Sequence, residues 1–331
     1  MVLPSGKKVI HGGSGKRECE NTRKKVLDFS ASVNPYPPEV HWECDPFFLT
    51  HYPDDSYTRL KDVIARTFRR HPDEICVGNG SIELIRTCCK VVLANKKVSF
   101  YVDNPTFGEY AYSAELFGGK QALRPEGASL RFLCNPNNPT GALRKREELL
   151  SVLDTENPGL FCVDEAFIEL SDPGESLVTD RRRNLLILRS LTKCFSVPGI
   201  RFGYGFGSPD LIEAIEGARL PWTVNSYAEA FALQAFRHYD ELEQSRMRIV
   251  KERAFLEDRL ASLGLSGMPS AANFLLVETG RNVQDLCGRL RAAGILVRDC
   301  TSFGLPTKIR IAVRTRQENE ALLEELAPCL R

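Results

Sequence analysis

Four consecutive apolar residues, Leu185 to Leu188, run straight into Arg189-Ser190-Leu191-Thr192-Lys193-Cys194-Phe195-Ser196-Val197-Pro198-Gly199-Ile200-Arg201-Phe202-Gly203-Tyr204. A run that is apolar on both faces reads as a buried parallel strand, which commits the chain to an α/β sheet covered on both sides. Whatever follows such a strand emerges at the carboxyl edge of the sheet, where open α/β proteins place their sites. Ser190 and Lys193 are three apart, Arg201 follows eight residues after the lysine, and Pro198-Gly199 forces a turn between them. A hydroxyl, an amine and a guanidinium can then converge on one phosphorylated aldehyde. An amine beside cations and partly desolvated gives up its proton more readily and becomes a usable nucleophile. The same spacing also suits a surface lysine in a loop, so other segments must decide.

At 331 residues the chain can bury one large core or two unequal domains, and 43% hydrophobic content is ordinary for a globular protein. A net charge of +1 provides no field for nucleic acid or an anionic membrane, and Arg181-Arg182-Arg183 reads as a solvated turn. Neither partner is expected. No stretch reaches the length of an apolar membrane span, and Lys7 and Lys8 followed by His11-Gly12-Gly13 lack a signal-peptide core, which implies a cytoplasmic protein. None of the 11 cysteines forms a Cys-x-x-Cys pair, and most lie in apolar runs such as Phe161-Cys162-Val163. They read as small reduced hydrophobes, with no metal.

Before residue 36 no periodic element is visible, and Gly12, Gly13, Gly15, Pro35, Pro37 and Pro38 punctuate an arm. Glycines beside His11 let the backbone approach an anion closely, although a histidine near a terminus is also an ordinary solvated side chain. After His51-Tyr52-Pro53-Asp54, the residues Leu60, Val63, Ile64 and Phe68 recur at helical spacing. Gly78-Asn79-Gly80-Ser81 then opens a helix whose first amides, at Ser81 and Ile82, would face an anion. A Gly-x-Gly also serves wherever a strand turns sharply. Phe107, in the turn after the strand at Val98 to Val102, suits either core packing or a ligand ring.

Leu130 to Cys134 is another strand, and its sequel Asn135-Pro136-Asn137-Asn138-Pro139-Thr140-Gly141 holds more Asn and Pro than an ordinary turn needs. Leu160 to Val163 is a buried strand ending on Asp164, a carboxylate that is costly to bury without a partner. Ser226 to about Leu263 reads as one long helix linking two domains. Strands at Asn273 to Val277, Ile295 to Arg298 and Lys308 to Val313 alternate with helices beyond it. Arg298, Arg310 and Arg314 lie in or beside those strands. Edge exposure or an ion pair would suit each, yet a planar fork also suits carboxylate or phosphate recognition.

These segments, in this order, resemble the fold-type I pyridoxal-phosphate-dependent aminotransferases and decarboxylases over nearly the whole chain. The resemblance implies an α/β fold with a mostly parallel central sheet in a large domain and a smaller α/β domain after it. The division would be an arm at 1–35, a large cofactor-binding domain at 36–230 and a small domain at 231–331. It implies pyridoxal 5'-phosphate, bonded covalently to Lys193, with Ser81, Ile82, Ser190 and Arg201 on its phosphate. Phe107 would stack on the ring, where an offset aromatic contact adds a modest gain. Asn138 would bond the ring oxygen, and Asp164 the ring nitrogen, keeping the ring cationic and electron-withdrawing. Tyr52 would reach across a homodimer interface to the other subunit's cofactor phosphate.

Within that family His11-Gly12-Gly13, Leu27 to Pro35, Phe167 and Pro221-Trp222-Thr223-Val224-Asn225 are similar to the threonine-phosphate decarboxylases; many aminotransferases have Tyr where Phe167 stands. The implied substrate is a small phosphorylated amino acid, L-threonine O-3-phosphate, decarboxylated to an aminopropanol phosphate for the corrinoid side chain. Arg310 would clamp the α-carboxylate, Arg298 and His11 the phosphate, and Asn34 would face the substrate. Two alternatives stay open. One is a histidinol-phosphate aminotransferase, the other a non-catalytic nucleotide-binding α/β protein in which Lys193 is incidental.

Overall fold

The apolar runs become neighbouring strands. The computed structural model describes residues 8–23, 25–94, 98–156 and 158–330; Lys7 lies outside them. Strand β1 is Leu27–Asp28, β2 Ile75–Gly78, β3 Ser99–Val102, β4 Lys120–Gln121, β5 Leu130–Cys134, β6 Leu160–Asp164, β7 Leu185–Ser190 and β8 Gly203–Phe206. A seven-stranded sheet takes them in the order β2-β8-β7-β6-β5-β3-β4. Strand β8 runs antiparallel to β2 and β7, and the remaining pairings are parallel. This is the mostly parallel α/β sheet that the sequence predicts.

Both faces are covered, which is why β6 and β7 are apolar without alternation. Cys162, Leu186 and Leu188 point to the side of the helix Ser81–Leu93, and Phe161, Val163, Leu185 and Ile187 to the other core. That second core continues into a four-stranded antiparallel sheet further along the chain. Its strands are β9 (Ser266–Gly267), β10 (Phe274–Glu278), β12 (Arg298–Asp299) and β13 (Lys308–Ala312), in the order β12-β13-β10-β9. Leu275, Val277, Ile309 and Ile311 bury their side chains in the same cluster as Val163 and Ile187.

Three expectations are corrected. The arm contains a helix, Gly15–Thr22, and β1, which pairs in parallel with β11 (Ile295–Leu296). The helix has no apolar stripe to reveal it, because its residues are Gly-Lys-Arg-Glu-Cys-Glu-Asn-Thr. The single long helix after Ser226 is two, Ser226–Ala235 and Leu242–Ser262, separated by the 3-10 turn Phe236–Glu241. That break brings Tyr239 against Phe68, with its hydroxyl 3.0 Å from Glu169 Oε1. Finally, Ile295 to Arg298 is not one strand: β11 joins the arm and β12 joins β13.

Candidate active site

Five segments leave the carboxyl ends of parallel strands on one edge of the large sheet, and they wall a cavity of about 750 Å³. At one end lies an anion cradle. Gly203 of β8 sits between Gly78 and Ser190 in the sheet, and a methyl group there would come 2.2 Å from the Ser81 amide nitrogen. Only a glycine lets the helix Ser81–Leu93 seat its first turn on the strand end. Gly80 precedes that turn with φ +78° and offers no side-chain cap. Among the described residues, the Ser81 and Ile82 amides donate to no other group. A methyl on Gly80 would lie 2.5 Å from Arg201 Nη2, so the guanidinium rests directly over this helix end. Ser190 Oγ, 2.8 Å from Thr192 Oγ1, completes the cradle. Free amides, a helix dipole, a guanidinium and hydroxyls together fit a phosphate group.

Lys193 follows at the end of the short helix Leu191–Cys194, with its ammonium 5.8 Å from the Phe167 ring centre. Burial, then Arg310 and Arg201, push its pKa down to about 8, partly offset by Asp164. Asp164 closes β6 on the floor of the cavity. Its carboxylate accepts from the Tyr110 hydroxyl at 2.8 Å and from the Ala166 amide at 3.0 Å, while burial raises its pKa to about 6. A carboxylate at that depth, with no cation bonded to it among the described residues, is suited to a protonated nitrogen on a ligand.

The Asn-Pro turn divides its asparagines. Asn135 exchanges hydrogen bonds with the Arg144 backbone, and Asn137 donates to Pro105 O and Thr140 Oγ1. Asn138 instead faces the cavity, where its Oδ1 accepts from Arg310 Nη1. Arg310 Nη2 donates to Ser30 O at 3.0 Å, and its buried Nε has no partner among the described residues. Arg298 donates to Asp299 O, Ile10 O and Ser302 Oγ at 2.6–2.7 Å. All these acceptors are neutral, so two buried guanidiniums face the cavity with no ion-pair partner among the described residues. Arg314 differs, because Glu318 pairs with it at 2.7 Å.

The arm roofs the cavity. His11 Nε2 donates to Glu109 Oε1 at 2.8 Å, and the imidazole lies 5.8 Å from the Phe107 ring. The His11 hydrogen bond and Arg86 hold the Glu109 carboxyl below its usual range. Thus His11, Ser81, Ile82, Phe107, Asn138, Asp164, Ser190, Lys193, Arg201, Arg298 and Arg310 all border one cavity. Two candidates do not. Asn34 is spent on the lysine loop: its side chain donates to Cys194 O at 2.7 Å and accepts from the Tyr36 amide. Tyr52 lies outside, 78% exposed and stacked on Trp222. Glu109, Thr192 and Asp28 also border the cavity; only Asp28 falls in a segment, Leu27 to Pro35, that the sequence marked. Burial pushes the nearby thiol of Cys134 up to about 12 and those of Cys162 and Cys194 well above the ordinary range, which favours their protonated form.

Residues 120–326 match the family described as aminotransferase class I and II. The histidinol-phosphate aminotransferase of Symbiobacterium thermophilum is 33% identical over 299 residues, spanning 84% of this chain and 82% of that protein. A protein of Caldanaerobacter subterraneus, provisionally named threonine-phosphate decarboxylase, is 34% identical over 330 residues, 89% of this chain and 88% of its own. Among solved structures, histidinol-phosphate aminotransferase from Sinorhizobium meliloti in complex with pyridoxal-5'-phosphate superposes with a TM-score of 0.85. It shares 21% identity over 99% of this chain and 96% of that one, a likeness of fold.

Proposed function

The chain belongs to the class I and II aminotransferase family of pyridoxal-phosphate enzymes, and from that premise we propose that it decarboxylates L-threonine O-3-phosphate to (R)-1-aminopropan-2-yl phosphate. The residues present fit the cofactor. The uncapped start of the helix Ser81–Leu93, with Ser190 and Arg201, would hold its phosphate, Asp164 its ring nitrogen, Asn138 its ring oxygen and Lys193 its aldehyde carbon. Bound there, pyridoxal phosphate supplies an electron sink conjugated to the substrate's α-carbon. Membership of this enzyme family sets aside the reading of a non-catalytic nucleotide-binding protein.

The observation that carries the choice of substrate is the pair Arg298 and Arg310. They are directly opposed across β12 and β13, both buried and both facing the cavity. Opposed residues of an antiparallel pair lie about 5 Å apart at Cβ, so two anionic groups of one small ligand must sit close together. L-Threonine O-3-phosphate has its carboxylate and phosphate ester on adjacent carbons. Histidinol phosphate has a phosphate but no carboxylate and requires room for an imidazole; its aminotransferase would engage both cations only in the half-reaction with glutamate, whose two carboxylates are not on adjacent carbons.

Arg310, with its free Nε, would grip the α-carboxylate, and Arg298 and His11 the phosphate. Two fixed anions orient the α-carbon so that the bond to the carboxylate is the one aligned for cleavage. Carbon dioxide departs with that bond's carbon, and the α-carbon takes one proton from the Lys193 ammonium. Near neutral pH that group, held at about 8, is still mostly protonated and a stronger acid than an ordinary lysine. The arm excludes bulk water from this transfer. Phe167 brings no hydroxyl to the lysine's surroundings.

The names of several relatives favour a second reading, histidinol-phosphate aminotransferase. Replacing Arg298 by Leu separates the two. The kcat/KM for threonine phosphate should fall by about two orders of magnitude or more, as for loss of one partner of a buried charge pair, and that for unphosphorylated threonine far less. Equal losses for both would remove Arg298 from phosphate recognition. We further propose a homodimer in which the exposed face of Phe47, Phe48, Tyr52 and Trp222 is covered by a second copy, bringing Tyr52 to its partner's site.

A further inference from the structure

Asp28 takes no part in the cofactor or substrate contacts above, yet the arm and the carboxylate-binding arginine both trace back to it. Its Oδ1 accepts the Ser30 amide at 2.9 Å and the Ser30 hydroxyl at 2.5 Å. Its Oδ2 accepts the Gly15 amide at 2.9 Å. Ser30 Oγ, its hydrogen given to Asp28, in turn accepts the Gly13 amide at 2.8 Å. The three successive carbonyls Asp28, Phe29 and Ser30 accept from Arg314 Nη1, the Ala312 amide and Arg310 Nη2. These donors alternate along β13 and its continuation. The arm lies flat on this hub: a methyl at Gly12 would come 2.3 Å from Ser30 O, and one at Gly15 2.8 Å from the Asp28 carboxylate.

We propose that Asp28 is a positioning residue that holds the arm, residues 9–15, closed over the bound substrate and, through Ser30, fixes the guanidinium of Arg310. Closure and grip are then one event. Arg310 is clamped on its outer side by Ser30 O, and that carbonyl keeps its place because the Ser30 amide and hydroxyl are both tied to Asp28. Removing the carboxylate frees the Ser30 hydroxyl to rotate and strands the Gly13 and Gly15 amides, so the glycine backbone loosens beside His11. The His11 bond to Glu109 and the Ile10 carbonyl on Arg298 remain, which makes the outcome a looser roof and not an unfolded one. Among the described residues the phosphate cradle of Ser81, Ser190 and Arg201 shares no hydrogen bond with Asp28 or Ser30, and the hub reaches the cofactor's surroundings through Arg310 Nη1 on Asn138 Oδ1.

Three variants of the holoenzyme test it: Asp28→Ala; Asp28→Asn, which keeps an oxygen for Ser30 but opposes an amide to Gly15; and Ser30→Ala, which keeps Gly15 and releases Gly13. The proposal rests on Arg310 taking the substrate carboxylate, so two readouts are paired. The first is hydrogen–deuterium exchange at the Gly13 and Gly15 amides without substrate, which needs no turnover. The second is KM against kcat with whichever substrate the enzyme turns over. For Asp28→Ala, exchange at both amides should quicken and KM rise by about tenfold or more, the equivalent of one or two lost hydrogen bonds. Cofactor affinity should stay within about threefold, a difference of well under one such bond, while kcat falls by less than KM rises. Asp28→Asn should loosen Gly15 more than Gly13, and Ser30→Ala the reverse. Unchanged arm exchange in all three would overturn the proposal. So would exchange that quickens equally throughout the chain with cofactor affinity falling in step, the signature of a purely structural residue.

Discussion

Lys193 is a residue whose chemistry is set by its surroundings more than by its identity. Burial and two guanidiniums disfavour its ammonium form, moving the pKa from 10.5 to about 8. Because the folded value is depressed, the neutral amine dominates above pH 8, and only that form attacks an aldehyde. Uptake of pyridoxal phosphate by cofactor-free protein should therefore accelerate between pH 7 and 9, with half its maximal rate near pH 8. A midpoint near the ordinary lysine value would show that neither burial nor Arg310 and Arg201 disfavour the ammonium form. Replacing Arg201 with Leu should shift the midpoint upward, since one of the two cations is gone. The same local logic makes Arg298 and Arg310 different from Arg314, although all three looked alike as sequence. Among the described residues only Arg314 of the three is ion-paired, with Glu318.

At the scale of elements, the site is a set of strand ends brought together, and the strands were legible because a sheet covered on both faces writes itself as continuous apolar runs. Cys134 and Asp164 end β5 and β6 as the sequence indicates, and β7 runs two residues past its apolar stretch to Ser190. What it does not show is anything held by remote partners. The helix Gly15–Thr22 owes its start to Asp28 accepting the Gly15 amide, a contact across 13 residues with no periodic trace. Asn34 reads as a substrate contact from its motif, but whether an amide faces a ligand or a main-chain carbonyl is decided by the packing of the lysine loop. Glu109 looks like any acidic residue in the first turn of a helix until the arm delivers His11 to it. Gly203 tests how tightly the elements fit. Alanine there would drive a methyl into the Ser81 amide, so cofactor affinity should fall at least tenfold and stability by about 1–3 kcal/mol, as for other overpacked sites. Gly217, in the helix Pro209–Ala218 with open space around it, is the control, where alanine should stabilise by roughly 0.5–1 kcal/mol. Thermal melts and cofactor titration of the two variants distinguish these outcomes.

For the whole molecule, the arm, the large sheet and the antiparallel sheet each contribute to a single cavity, and one apolar core runs beneath both sheets. The surface carries a further demand. Phe47, Phe48, Tyr52 and Trp222 are each 46–78% exposed, with Phe47 against Phe48 and Tyr52 stacked on Trp222, and clustered apolar surface of this kind marks interaction sites. Phe48→Glu should convert a dimer to monomers in sedimentation and reduce activity with it; a wild-type chain that sediments as a monomer would refute the proposed second copy. The central claim is the reaction itself, and it turns on two anions held side by side. The most direct measurement is a paired assay on protein saturated with pyridoxal phosphate, following carbon dioxide release from L-threonine O-3-phosphate and glutamate formation from histidinol phosphate with 2-oxoglutarate. Adjacent Arg298 and Arg310 predict carbon dioxide without transamination, and transamination without carbon dioxide would contradict the account.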